Sequence, residues 1–156
     1  RPTGVYREIL VDRTSGLRDC AFDPEATQRK VFEFWPSDLA RIFAQAGIIK
    51  PRPPEFRPEC RERAARQGRA PAITVPREGV RYAVSLGREE DNEVPLTAVL
   101  DADATSVHWF ADNRYLGRAE PGQPLAWRPA PGRVTVRAVD DLGRAGVRVV
   151  EVELVE

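Results

Sequence analysis

Apolar and polar positions alternate along most of this chain, and turn-forming residues break the alternation about every ten residues. Val80–Leu86 sets Val80, Tyr82, Val84 and Leu86 on one side, and Arg133–Val139 turns Val134, Val136 and Ala138 inward. A period of two marks a half-buried strand. Shorter runs of the same texture cover Ala72–Val75, Leu96–Leu100, Val107–Phe110, Tyr115–Gly117, Leu125–Trp127 and Val147–Val155. The last of these alternates cleanly (RVVEVELV), and the DDLG turn at Asp140–Gly143 should fold it back on residues 133–139 as a hairpin. Seven or eight such strands with no helical period among them predict an immunoglobulin-like or fibronectin-type antiparallel β-sandwich over residues 71–156. The intersheet cysteine pair of antibody domains is missing, so this likeness is architectural.

Ahead of residue 71 the period changes. Tyr6–Val11 reads as one strand and Lys30–Trp35 as a second that can pair with it, separated by the DRTSG turn and a polar loop over 18–29. Within FEFWPSDLARIFAQAGIIKPRPPEF (residues 32–56), Leu39, Ile42, Phe43 and Ala46 recur at helical spacing. Pro36 or Ser37 can open that helix, Gly47 can close it, and Pro51, Pro53 and Pro54 bar its continuation. Residues 1–50 are therefore expected to form a small α+β segment with two strands and one helix in a mainly β chain. So small a unit is marginal alone. Its apolar surface, formed by Trp35, Leu39, Ile42 and Phe43, is expected at a buried junction. Residues 51–70 are rich in proline and arginine and read as a linker, with RERAARQGR (residues 61–69) solvated rather than helical.

Composition narrows the function. The 24 basic and 24 acidic residues cancel, which gives no bulk attraction to nucleic acid or to an anionic membrane. No run of 18 apolar residues is available to cross a bilayer as a helix. The chain starts at Arg1 and has no Met, so it reads as a piece of a longer protein, and the lack of a signal peptide says nothing about compartment. Cys20 and Cys60 are the only cysteines. They are either two unrelated thiols or a disulfide closing a loop across the helical segment, which the chain-entropy model values at about 3–4 kcal/mol.

Candidate chemistry is sparse. His108 is the only histidine, and with Ser106 it could suggest a nucleophile and base, but no strained Gly-x-Ser-x-Gly turn activates a serine. Asp91, Asn92, Asp101 and Asp103 lack calcium-loop spacing and read as solvated turn residues. Cys20, Cys60 and His108 are too few for a closed zinc site. No phosphate-cradling glycine loop occurs, and no cofactor or metal is expected. Trp109 reads as core, and Trp35 as packing where the helix meets its strand.

The stretches WPSDLARIFAQAGIIKPRPPEFRPEC, PAITVPREGVRYAV, VHWFADNRYLG and LAWRPAPGRVTVRAVDDLGRAGVRVVEV together resemble a known family. They are similar to the C-terminal region of bifunctional class A penicillin-binding proteins of the 1C type. The resemblance is carried by Trp35-Pro36 with Asp38-Leu39, and by Pro53-Pro54. It continues through Ile73 with Pro76, Gly79 and Tyr82, Trp109-Phe110 with Asp112, and Asp141 with Gly143-Arg144. It implies a β-sandwich tail on the periplasmic face of the inner membrane, in a membrane-anchored peptidoglycan glycosyltransferase and transpeptidase. The family's Ser-x-x-Lys, Ser-x-Asn and Lys-Thr-Gly elements are absent here, so no catalytic residue carries over. The implied role is a non-catalytic accessory domain for protein interaction or positioning. Its implied partners are cell-envelope proteins, including a bacterial α2-macroglobulin-like lipoprotein. The alternative is a peptidoglycan-binding module that uses Tyr115 or Trp127 as exposed aromatics. An oxidising periplasm favours a Cys20–Cys60 disulfide.

Overall fold

The computed structural model describes residues 6–155. The first five residues of the expected 1–50 segment lie outside that range. β1 (Tyr6–Asp12) pairs antiparallel with β3 (Thr27–Glu33) in unbroken register from Tyr6↔Glu33 to Asp12↔Thr27. The turn after β1 is built as its residues dictate. The Asp12 carboxylate accepts from the Ser15 hydroxyl and amide, which holds its pKa below the ordinary carboxylate value. Two residues within the expected 18–29 loop form β2 (Arg18–Asp19), completing a small sheet of order β2-β1-β3.

Helix α1 (Ser37–Gln45) follows, with Pro36 at its N-cap. Its C-terminus closes at Gly47 (φ 78°). The Gly47 amide donates to the Ala44 carbonyl and the Ile48 amide to the Phe43 carbonyl, the paired bonds of a Schellman motif. Residues 61–69 depart from expectation: Arg61–Gln67 form a second helix, α2, behind a 3₁₀ turn at Pro58–Cys60. Tertiary anchoring explains the difference. Phe56 makes a bridge to Arg18, and Phe56, Cys60 and Ala64 are all buried in one cluster. A seven-residue polar helix would be marginal in water, but here its first turn is tied down.

The remaining eight strands form the sandwich. They are β4 (Ala72–Val75), β5 (Arg81–Ser85), β6 (Val94–Val99), β7 (Val107–Ala111), β8 (Arg114–Ala119), β9 (Leu125–Trp127), β10 (Gly132–Asp140) and β11 (Ala145–Val155). One sheet has the order β5-β11-β10-β7-β8, and the facing sheet has the order β4-β6-β9. β10 and β11 form the expected hairpin, from Val139↔Ala145 to Gly132↔Val152. One pair breaks the antiparallel rule: β5 runs parallel to β11, Arg81↔Glu151 through Val155↔Ser85. Because β5 follows a strand of the facing sheet, it joins β11 without a hairpin. Between the sheets lies a core of fifteen buried side chains, in which Leu96, Trp109, Val136 and Ala138 have no exposed surface.

The small sheet leans on one end of the sandwich. Ile9, Val11 and Phe34 pack with Phe32 and with Ala102 from the β6–β7 loop. Phe56, Cys60 and Ala64 pack with Cys20 and with Leu142 from the β10–β11 turn. Thus each minor cluster takes one apolar side chain from the sandwich.

Candidate functional site

A buried charge cluster fixes the junction. The Arg144 guanidinium donates to Asp140 (2.7 Å) and to Asp103 (2.6 Å), which connects the β10–β11 turn with the β6–β7 loop. Burial works against the Arg144 charge, but the two carboxylates outweigh it and raise its pKa. Asp103 shares that one cation, and burial, opposed by Arg144, pushes its carboxyl above the ordinary value. Gly68 lies directly over the guanidinium: a β-carbon there would fall 1.4 Å from Arg144 Nη1. Asp101 accepts from the Arg69 amide at 2.9 Å, so the chain leaving α2 is held at the same place. Asp103 is therefore not the solvated turn carboxylate that its spacing suggested.

The Arg18 guanidinium sits over the rings of Phe34 (5.1 Å) and Phe56 (4.4 Å), and burial lowers its pKa. Cys20 and Cys60 are bonded to each other. Asp19 stands beside them, and these three are the only group of metal-ligand type among the described residues; the two sulfurs are consumed in the disulfide. Burial would raise the Asp19 pKa, but Arg57 at 2.9 Å and the amides of Cys20 and Ala21 hold it low.

Against this rigid junction α1 is held at its first residue. The Ser37 hydroxyl accepts from the Leu100 amide at 2.8 Å, and the Ser37 amide donates to the Leu100 carbonyl at 3.3 Å. Ser37 is buried, and it decides how the helix is turned. Residues at i, i+3, i+4 and i+7 share one helical face. From Ser37 these are Ala40, Arg41 and Ala44, and all four line a cleft of about 600 Å3. The stem of Arg41 packs beside Gly122, while the 47–53 segment and the 101–104 and 121–123 loops form the other walls.

The apolar face of α1 consequently points away from the sandwich. Leu39 is 40% exposed and Ile42 54%, which corrects the expectation that both are buried at a junction. The physical reason is that the polar Ser37, not the apolar stripe, makes the contact. Trp35 and Phe43 are half-buried and meet edge to face at 4.8 Å, with the Lys50 ammonium 5.3 Å from the Phe43 ring. Lys50 also bonds the Glu33 carboxylate at 3.2 Å, and that bond, together with the Trp35 indole, keeps the Glu33 pKa low.

On the outer face of the five-stranded sheet, His108 Nδ1 and Tyr115 Oη lie 3.0 Å apart, and Phe110 stands 5.4 Å from the Tyr115 ring. Tyr115 is exposed. Trp127 is not: at 6% exposure it belongs to the sandwich core, where β9 pairs it with Val94. The expectation of an exposed Trp127 is thereby corrected, because its flanking prolines lie outside β9 while the strand turns the indole inward. Ser106 precedes β7 and is buried, its amide 3.4 Å from Asp141 Oδ1, and no hydrogen bond joins it to His108. Asn92 closes a loop by bonding the Ser85 amide and carbonyl, and Asp91 lies 4.0 Å from Arg88. The cleft itself was missed from sequence; a helix with a serine and two alanines on the face opposite its apolar stripe was the available signal.

The model of the Penicillin-Binding Protein C-terminus Family matches residues 60–151, more than half of the chain. The chain belongs to that family, and is a C-terminal region of a bifunctional penicillin-binding protein. The match begins at the disulfide cysteine and takes in α2 and the sandwich as far as β11. Among solved structures, the fibronectin(III)-like modules of Clostridium thermocellum CbhA are similar. They share 15% identity with a TM-score of 0.41, over 55% of this chain and 99% of that one. No curated protein matches.

Proposed function

We propose that this chain is a non-catalytic accessory module of a penicillin-binding protein of the 1C type, and that it docks a cell-envelope protein beside peptidoglycan synthesis. The parent would be anchored in the inner membrane with this module on the periplasmic side; among the described residues no helix is long and apolar enough to cross a membrane. The observation that carries the reading is the uncovered face of α1. The helix is pinned at Ser37, yet Leu39 and Ile42 are left in solvent. Exposed apolar surface on a fixed scaffold suits a partner. The bacterial α2-macroglobulin-like lipoprotein named by the resemblance is the first partner to examine.

The test is site-specific photo-crosslinking in cells from position 42 of the intact parent, with position 149 on the outer sheet as control. A discrete adduct with an envelope protein from position 42 alone is expected. Equal labelling from both positions would sink the reading.

The His108–Phe110–Tyr115 cluster favours a second reading, a glycan-binding module, since aromatic faces stack on sugar rings. Sedimentation of the chain with purified sacculi separates the two readings. Binding lost in Tyr115→Ala would support the glycan role; no binding would leave the docking role.

A further inference from the structure

The cleft on the other face of α1 presents two cations without a carboxylate partner. Arg41 and Arg52 both line it; among the described residues neither forms an ion pair, and the Arg52 guanidinium has only the Ala104 carbonyl at 3.5 Å. The other charged groups of the cleft are engaged, Lys50 with Glu33 and Asp101 with the Arg69 amide. The rest of its lining is mostly apolar, with Ala40, Ala44, Ala102, Ala104 and Gly122 among its small residues and Trp35 as its one aromatic. A volume near 600 Å3 that combines apolar walls with charged groups is that of a ligand site rather than a packing defect. One wall, residues 48–53, is backbone without regular secondary structure, interrupted by Pro51 and Pro53. Among the described hydrogen bonds the amides of Ile49, Lys50 and Arg52 have no protein acceptor, which leaves them open to pair with another chain.

We infer that this cleft binds an extended acidic peptide segment with small side chains. Its backbone would pair with the amides of Lys50 and Arg52, which stand two residues apart, its small side chains would fit among the alanines, and its carboxylates would lie against Arg41 and Arg52. Peptide is favoured over sugar because the site offers unpaired amides and alanine methyls, and its one aromatic, Trp35, is half-buried against Phe43. The site lies on the opposite side of α1 from Leu39 and Ile42, so its failure would leave the docking reading standing.

Trp35 provides the readout, since Trp109 and Trp127 are buried in the sandwich. The full chain is titrated with an N-acetylated pentapeptide of alternating alanine and glutamate, and separately with its glutamine counterpart. A saturable change in emission, absent in Trp35→Phe, is expected for the acidic peptide, with binding weaker by about tenfold or more for the glutamine version. Arg41→Glu and the milder Arg52→Gln should each weaken binding several-fold with unchanged circular dichroism, and added salt should weaken it further. Amide NMR shifts on titration should centre on Ile49, Lys50 and Arg52. No saturation by about 1 mM, equal binding of the glutamine peptide, or binding indifferent to both arginine variants would overturn the assignment. So would displacement of the peptide by N-acetylglucosamine oligomers.

Discussion

The sandwich and the small sheet in front of it solve the same problem by different means. The sandwich buries fifteen apolar side chains between two sheets, and its core includes Trp109 and Trp127. The small sheet and the α2 segment packed with it have only two clusters of three buried residues each. They compensate with a disulfide, arginines stacked on Phe34 and Phe56, and two side chains lent by the sandwich, Ala102 and Leu142. Alternating sequence is enough to specify a core when eight strands share it. Three short strands and two short helices need covalent and ionic help, as expected of units below the size at which a core sustains itself.

The largest effect should come from the sandwich centre. Trp109→Ala removes a fully buried indole and should cost about 4 kcal/mol, a large share of the total stability of a domain of this size. Denaturant unfolding followed by circular dichroism should show both regions lost together, because the small clusters need Ala102 and Leu142 in place. A small sheet that survived would mean that it folds without its neighbour. Cutting the Cys20–Cys60 bond acts the other way. Cys20→Ser with Cys60→Ser should cost about 3 kcal/mol, confined to residues 6–67. Trypsin should then cleave that segment while residues 72–155 stay protected. Protection of the whole chain without the disulfide would remove the contrast.

Acid sharpens the comparison more gently. Asp12, Asp19 and Glu33 all belong to the small sheet or its edges, and their pKa values are lowered on folding. For a carboxyl held low, the unfolded chain binds protons first as the pH falls. The stability it contributes is present above the ordinary carboxylate range and is lost through and below it. Asp103, in the sandwich loop, is shifted upward, so the folded state binds its proton first and acidification favours folding there. Hydrogen exchange between neutral pH and about pH 3.5 should therefore show β1–β3 amides losing protection before those of β7 and β10. Uniform loss would contradict this.

The sandwich was legible because its signal repeats. Val134, Val136 and Ala138 on β10 bury the same sheet face as Val150 and Val152 on β11, the hairpin's turn is written in DDLG, and each strand supports the reading of the next. The disulfide was legible as a candidate because the chain has only two cysteines. What escaped depends on contacts far apart in sequence. α2 is helical because Phe56 and Cys60 anchor its start, not because RERAARQ demands it. β5 pairs with β11 across some seventy positions, from Arg81 to Glu151, with no local mark. Trp127 turns inward although its neighbours resemble a loop. The cleft depends on the two hydrogen bonds between Ser37 and Leu100, which turn α1 so that its small residues, rather than its apolar stripe, line the site.

That rotation sets the smallest and most discriminating effect. If Leu39 and Ile42 were packed within this chain, Ile42→Asp would bury a charge and cost several kcal/mol. With Ile42 more than half exposed, the same change should shift stability by about 0.5 kcal/mol or less. Phe43→Asp supplies the internal control. Phe43 is half-buried against Trp35 and Lys50, so its loss should cost more while leaving the sandwich folded. Equilibrium unfolding of the two variants beside the parent chain measures the difference directly. A large loss in Ile42→Asp would place the stripe inside the fold and remove the docking surface. Unchanged folding, combined with loss of the adduct formed from a neighbouring photoreactive position such as 39, would assign the stripe to a partner.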